Sequence, residues 1–373
     1  MEPLTAPAPA ATAPNFQRLH NFSAGPGALP DEVMLEVREE LPAYPGLGAS
    51  IMEVSHRSKE FDAIWDRARS RMKALLGMGD EWDVLFVQGG ASMMFYQVPL
   101  NFLRADASAD YFDTGTWANK AIKEAKRCGN VNVAASSKTD AYTYIPEPDT
   151  WQLDENAAYL HFTSNNTVYG TQFHAEPEAN VPLVCDASSD FLSRPIDVSR
   201  YGLIYAGAQK NIGPAGVTAV LIRDDFMATK RSDLPTMLDF GTHAKGEMFN
   251  TPPVFAVYIV DKVLAWLERN GGVEAMVTRN DEKAALLYGA IDATDFYRGT
   301  VQSASRSKMN VTYRLPSEEL EERFVKEAKA EGLLALKGHR SVGGIRASLY
   351  NAVSLASVEA LVDFMRHFEA RNG

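Results

Sequence analysis

Residues Tyr201–Ile222 read "YGLIYAGAQKNIGPAGVTAVLI", a stretch without Asp, Glu or Arg in which Lys210 is the only charged side chain. An ammonium in such surroundings is costly to desolvate unless a partner or a reaction uses it. About 20 apolar residues suffice to span a bilayer. Gln209, Lys210, Asn211, Pro214 and four glycines near the centre of this stretch argue against a span. "GLIYA" and "VTAVLI" are rich in β-branched and aromatic residues and predict two short buried strands, with Lys210 on their connection. A surface loop lysine is the ordinary reading of that position, and the rest of the chain decides whether it holds.

The chain has 373 residues, enough for a large domain and a smaller one, each with its own core. Its hydrophobic fraction of 46% and charged fraction of 23% are ordinary for a soluble globular protein. A net charge of −11 argues against nucleic acid and anionic membranes as partners, so an anionic ligand needs a local basic cluster. Two cysteines, Cys128 and Cys185, predict a reducing, cytoplasmic setting without a disulfide framework, and no metal-ligand spacing is present. The opening "MEPLTAPAPAATAP" carries neither a basic residue nor an apolar run, so residues 1–14 are expected to be a disordered tail and not a targeting peptide.

From Asn15 onward, strand and helix signals alternate. Asp31 and Glu32 suit a helix start. Phe61, Ile64, Trp65, Ala68, Met72, Leu75 and Leu76 recur at helical spacing. "EWDVLFVQGGAS", "VNVAA", "AAYLHFTSNNTVYG" and "VPLVCDASSDF" predict strands, the last ending at Asp186. "FAVYIVDKVLAWLERNGG" predicts a helix closed by Gly271-Gly272. Beyond it, "SKMNVTYRLP", a helix capped by Ser317, "GGIRASLYN" and "SVEALVDFMRHFEA" predict a small α+β unit. The alternation in the middle predicts a mainly parallel sheet covered by helices on both faces.

Four features line up along the chain. "VQGGAS" (Val87–Ser92) places small residues where a helix opens after a strand, and exposed amides there suit a phosphate, although Gly-Gly turns are common. Trp117 opens a helix after a strand and can stack on a planar ligand, although core packing is the commoner role. Asp186 closes a strand, at the edge where α/β proteins bind ligands; a helix N-cap is the plain alternative. Lys210 follows. A lysine and an aspartate at strand ends meet the needs of pyridoxal phosphate. The amine condenses with the aldehyde, and the carboxylate keeps the pyridine nitrogen protonated. A lowered amine pKa also suits proton transfer by the lysine.

The chain resembles the phosphoserine aminotransferases over nearly its whole length after the tail. The resemblance is carried by "NFSAGPGALP", "GLGASIMEVSHRSKEF", "AIKEAK", "LSRPIDVSRYGLIYAGAQKNIGPAG", "MFNTPP" and "LKGHRSVGGIRASLYNA". It implies the α/β class and the type I fold of PLP-dependent transferases. A mainly parallel sheet of the seven-stranded type would fill a large domain at 31–270, and residues 15–30 and 271–373 would form a small α+β domain. It implies a homodimer with shared active sites, and glutamate and 3-phosphohydroxypyruvate as small-molecule substrates. A longer phosphorylated keto acid, giving 4-phosphohydroxy-L-threonine on the pyridoxine route, is a further implied substrate.

By the same resemblance, Lys210 and Gln209 match the lysine that takes the cofactor and a contact to its phosphate. Asp186 matches the partner of the ring nitrogen, Trp117 the stacking residue and Thr167 the position near the ring hydroxyl. Ala91 and Ser92 match the phosphate cup, and Asn250 and Thr251 match phosphate contacts from the other subunit. Arg346 matches a substrate carboxylate clamp, His56 and Arg57 a side-group clamp, and His339 and Arg340 phosphate contacts across the dimer. From the residues alone, Gly332–Val358 lacks Asp and Glu, which a bland solvated face would also explain. The chain departs from the family's common pattern at Ser92, where many members carry arginine, at Met93-Met94, where they carry Gly-Gln, and at Ala24. Rival readings are a serine–glyoxylate aminotransferase, a cysteine desulfurase or a non-catalytic phosphate-binding protein. Neither Cys128, ending a helix, nor Cys185, inside a strand, suits a mobile nucleophile.

Overall fold

Alternate residues of the central strands enter opposite cores. Val84, Phe86, Ile204 and Ala206 pack on one face of a sheet, and Leu85, Val87, Leu203 and Tyr205 on the other. Burial on both faces is why these segments read as continuous apolar runs. The structure, a computed structural model, describes residues 18–373, so the tail expected at 1–14 lies outside the described residues.

The seven strands of this sheet are β1 (Trp82–Gln88), β2 (Ser108–Asp113), β3 (Asn130–Ser136), β4 (Leu160–Thr163), β5 (Leu183–Asp186), β6 (Tyr201–Gly207) and β7 (Val217–Arg223). Their spatial order is β1-β7-β6-β5-β4-β2-β3. All neighbours are parallel except β7, which runs antiparallel to both β1 and β6. Helices α1 (Asp31–Glu40), α2 (Lys59–Leu76), α3 (Ala91–Phe102), α4 (Thr116–Ala125) and α5 (Val254–Arg269) surround it. Phe61, Ile64, Trp65, Ala68 and Met72 of α2 share the first core with Val257, Val260 and Leu264 of α5. Met94, Phe95 and Val98 of α3 and Ala121 and Ile122 of α4 fill the second. The Ser58 hydroxyl accepts from the Phe61 amide to open α2, and Gly77, at φ 65, closes it.

Gly271-Gly272 does not end a helix in the way the sequence predicts. Asn270 caps α5 and Gly271 turns at φ 90, but Gly272 already opens α6 (Gly272–Asp292). Beyond α6 lies an antiparallel sheet of β8 (Arg298–Gly299), β9 (Asn310–Arg314) and β10 (Ile345–Ser348), in that order. Helices α7 (Glu318–Ala330) and α8 (Leu355–Asn372) cover it through Phe324, Ala328, Leu361 and Phe368. Phe22 joins this core, because His20–Asn21 pairs with Leu333–Leu334. No helix among the described residues is long and apolar enough to cross a membrane.

A buried polar network ties α6 to the end of β10. Lys283, 2% exposed, donates to the carbonyls of Leu349 and Tyr350 at 2.9 Å each. Asn280 donates to Asn351 Oδ1, and the Asn351 amide donates to Asn211 Oδ1, beside Lys210. Burial, aided by Arg279, lowers the Lys283 pKa to about 7. Between pH 7 and the unfolded value of 10.5 the unfolded chain holds a proton that the folded chain has released. Stability contributed through Lys283 is therefore expected to rise with pH across that window, by up to ~1.4 kcal/mol per unit. Denaturant titrations of wild type and Lys283→Met should differ in slope there; parallel pH profiles would contradict it.

Candidate active site

Strand register brings the ends of five strands to one edge. Thr163 pairs with Asp186, Asp186 with Tyr205, Tyr205 with Val220 and Val220 with Leu85. Gln88, Asp113, Thr163, Asp186 and Gly207 consequently leave the sheet on the same side. There the chain enters α3 after Gln88, α4 after Asp113 and the Lys210 turn after Gly207. The C-terminal edge of such a sheet is where ligands bind, because loops and helix N-termini converge on it.

Lys210 Nζ donates to Thr167 Oγ1 at 2.8 Å. Burial pulls its pKa down from 10.5 to about 8, against the attraction of Asp186, while Arg346 lowers it further. Asp186 is 4% exposed, and burial raises its pKa, opposed by Lys210 and by bonds from Ser188. Its Oδ1 accepts from the Ser188 amide at 3.0 Å. Arg346 Nη1 donates to the Thr167 carbonyl at 3.3 Å, so Thr167 joins the amine to the guanidinium. Burial lowers the Arg346 pKa, and Arg346 makes no ion pair among the described residues. An unpaired guanidinium beside a buried amine is suited to an anionic ligand.

The segment Ala24–Gly27 packs against this lysine. The Gly27 amide donates to the Gln209 carbonyl at 2.7 Å, and Tyr350 Oη donates to the Ala24 carbonyl at 2.7 Å. A Cβ on Gly27 would fall 2.7 Å from the Tyr350 ring and 3.0 Å from the Lys210 carbonyl, so no larger residue fits. Sequence reasoning assigned neither Gly27 nor Tyr350 a role. A buried tyrosine and a glycine in a Gly/Pro-rich turn carry no signal of their mutual contact.

The predicted site residues fall into groups. Lys210, Thr167 and Arg346 are joined by the hydrogen bonds above, Asp186 acts on Lys210 through its charge, and Gln209 is adjacent in sequence. Trp117 opens α4 and packs on Phe95 of α3, ring centroids 6.4 Å apart, with Lys120 Nζ 4.3 Å above its ring. Lys120 was not anticipated. Ala91 and Ser92 form the first turn of α3, which has no side-chain cap and no acidic residue there. Gln88 Nε2 donates to the Thr251 carbonyl at 2.8 Å, which lays the Asn250–Thr251 segment over the end of β1. His339 Nδ1 lies 2.7 Å from Ser341 Oγ. Partial burial lowers the His339 pKa, with added repulsion from Arg346, Arg340 and Lys120. His56 is half-buried and Arg57 exposed; among the described residues no bond links either side chain to Lys210, Thr167 or Arg346.

The residues fit pyridoxal phosphate by the chemistry of their donors and by their orphaned atoms. Trp117 Nε1, Gln209 Oε1, His56 Nε2 and Arg346 Nε are buried without partners among the described residues. Beside them stand a buried amine of lowered pKa, a buried carboxylate and an uncapped helix start. Among the described residues no cluster of His, Cys, Asp and Glu could hold a metal ion.

The chain is similar to the phosphoserine aminotransferase of Desulfosudis oleivorans, at 56% identity over 96% of this chain and 99% of that one. It superposes on phosphoserine aminotransferase from Bacillus circulans subsp. alkalophilus with a TM-score of 0.93, at 52% identity, covering 95% of this chain and 99% of that one. The PLP-bound phosphoserine aminotransferase of Trichomonas vaginalis gives a TM-score of 0.90 at 39% identity, covering 94% and 100%. The family profile of Aminotransferase class-V matches residues 19–361. With that profile spanning most of its length, the chain belongs to the class-V aminotransferases.

Proposed function

We propose that this chain is a PLP-dependent phosphoserine transaminase of serine biosynthesis, passing the amino group of L-glutamate to 3-phosphohydroxypyruvate. The products are 2-oxoglutarate and O-phospho-L-serine. The observation that carries this reading is the buried Lys210 amine bonded to Thr167, whose carbonyl also takes the unpaired Arg346 guanidinium. When bound, pyridoxal phosphate supplies an aldehyde for amines and a ring that takes up the electrons released at the substrate Cα.

The protein's own residues do the rest. Lys210, with a pKa of about 8, would take the proton from the substrate Cα and deliver it to the carbon that the cofactor's aldehyde supplies. Asp186 would pair with the ring nitrogen of the bound cofactor and keep a proton on it. Trp117 would stack on the cofactor ring and keep water from it, and Thr167 would hold the ring hydroxyl. The amides of Ala91 and Ser92, with Gln209, take the cofactor phosphate. Arg346 grips the substrate carboxylate. His56 and Arg57 clamp the substrate's side group, and His339 and Arg340 reach the substrate phosphate across the dimer. The enzyme acts as a cytoplasmic homodimer in which Asn250 and Thr251 complete the neighbouring site. Residues 31–270 are assigned to the cofactor domain and 15–30 with 271–373 to the small domain, residues 15–17 of that span lying outside the described residues.

The test is a coupled assay with glutamate, comparing 3-phosphohydroxypyruvate with hydroxypyruvate. Losing the phosphate's charge-assisted bonds, at about 1.5–3 kcal/mol each, should cost the unphosphorylated acid at least ~100-fold in kcat/KM. Arg340→Ala should lose ~10–100-fold on the phosphorylated acid alone. Equal turnover of the two acids would discard the phosphate assignments. Including the longer phosphorylated keto acid of the pyridoxine route tests whether the same site serves that step.

A further inference from the structure

His339 and Arg340 sit at the tip of a loop that closes on itself. The Gly338 amide donates to the Gly344 carbonyl at 2.8 Å, and the His339 carbonyl accepts from the amides of Val342 and Gly343 at 2.9 and 2.8 Å. Gly343 and Gly344 turn at φ 76 and 70, and a Cβ on Gly338 would lie 2.0 Å from the Gly343 carbonyl. The loop therefore has one closed shape. Its direction is set only by what holds its base.

That base is held by the Arg346 amide, which donates to the Leu336 carbonyl at 2.8 Å, by the bridge between Lys337 and Ile345, and by an ion pair whose carboxylate is buried. Glu321 of α7 has an 8% exposed side chain, and its Oε1 accepts from Arg314 Nε at 2.6 Å and from the Leu315 amide at 3.3 Å. Its Oε2 accepts from the Gly344 amide at 3.1 Å. Arg314 Nη1 in turn donates to the Val342 carbonyl at 3.0 Å. A cleft of about 610 Å³ separates the loop's cations from the outer face of α7, where Glu318 and Glu322 stand. Glu321 and Arg314 thus tie the loop down on both sides of Gly343, and Arg346 follows two residues after Gly344.

We infer, on the strength of the proposed function, that Glu321 is a positioning residue for the distal phosphate of the substrate. Acting with Arg314, it fixes the base of the His339–Arg340 loop through the Gly344 amide and the Val342 carbonyl. It touches neither substrate nor cofactor. Glu321→Gln keeps the shape but leaves one acceptor oxygen, and sets an NH2 group against either the Gly344 amide or Arg314. The loop is then expected to lose its fixed direction while the Lys210 environment stays as it is.

The experiment compares wild type and Glu321→Gln holoenzymes with glutamate and each of the two keto acids. The expected result is a rise of at least ~10-fold in KM for 3-phosphohydroxypyruvate, with KM for hydroxypyruvate and kcat within about threefold of wild type. Arg314→Lys, which keeps a charge but loses the planar fork, should shift the same parameter and serves if the glutamine variant does not fold. A preference unchanged from wild type overturns the inference, as does an equal loss on both keto acids, the mark of a general folding role. A wild type without phosphate preference overturns the proposed function as well, whereas a preference that both variants keep overturns this inference alone.

Discussion

Lys210→Ala is expected to lower transamination by at least ~10³-fold without lowering the stability of the protein. The loss follows from two duties that no neighbour can assume. General-base proton transfer by a positioned side chain is worth about 10²–10⁴-fold, and covalent capture of the cofactor is lost with the amine. Lys210 is the only charged side chain in Tyr201–Ile222, so no second amine on the turn can substitute. The unchanged stability follows from the fold. Lys210 Nζ makes a single side-chain bond, to Thr167, and burial of its charge is already unfavourable, as the lowered pKa of about 8 records. Removing it relieves that burial, while β6 and β7 stay paired from Gly207–Thr218 to Leu203–Ile222. The measurements are turnover, thermal unfolding, and the mass of the protein after borohydride treatment of the holoenzyme. Wild type should retain the mass of the cofactor at Lys210 and the variant should not. Turnover within tenfold of wild type, or a cofactor fixed to another residue, would refute the assignment of Lys210.

Lys210 was legible because an apolar environment makes any charge conspicuous, and Asp186 because a strand ended on it. The α2 helix was legible from its apolar spacing, and Ser317 from its place before an acidic first turn, where its hydroxyl does accept from Leu320. Helix α6 was not. It begins at a glycine pair that reads as a stop, and its buried face carries Asn280 and Lys283, which break the apolar period. Those residues are paid for by bonds to Ser193, Asn351, Leu349 and Tyr350, distant in sequence and set by tertiary packing. Strand β7 could be foreseen as a strand but not as the one antiparallel member, since direction depends on where the chain crosses over. Glu321 was hidden for a related reason. In "SEELEERF" it looks like one more solvent-facing acid, and only the fold of β9 against α7 buries it on Arg314.

Asp186→Asn is expected to cut kcat by ~10²–10⁴-fold with little change in KM, because it removes a charge and almost nothing else. Asparagine has the same shape and keeps an oxygen for the Ser188 amide, which now donates to Oδ1 at 3.0 Å. Burial already works against the Asp186 charge and raises its pKa, so the neutral side chain costs less to bury than the carboxylate. Stability should therefore hold or improve. In the proposed reaction, what disappears is the anion that would keep a proton on the cofactor's ring nitrogen, and an amide cannot replace it. Asp186 is also the largest of the influences raising the Lys210 pKa, opposing the burial of the amine. Its loss should move that pKa further down, toward the neutral amine that accepts the proton, so slow turnover from an over-protonated Lys210 is not the expected outcome. The distinguishing measurement is the pH profile. A kcat deficit that persists from pH 6 to 9 assigns the loss to the ring nitrogen, whereas a deficit that disappears at either end would assign it to Lys210. Turnover within about threefold of wild type at all pH values would show that the buried carboxylate serves the fold and not the reaction.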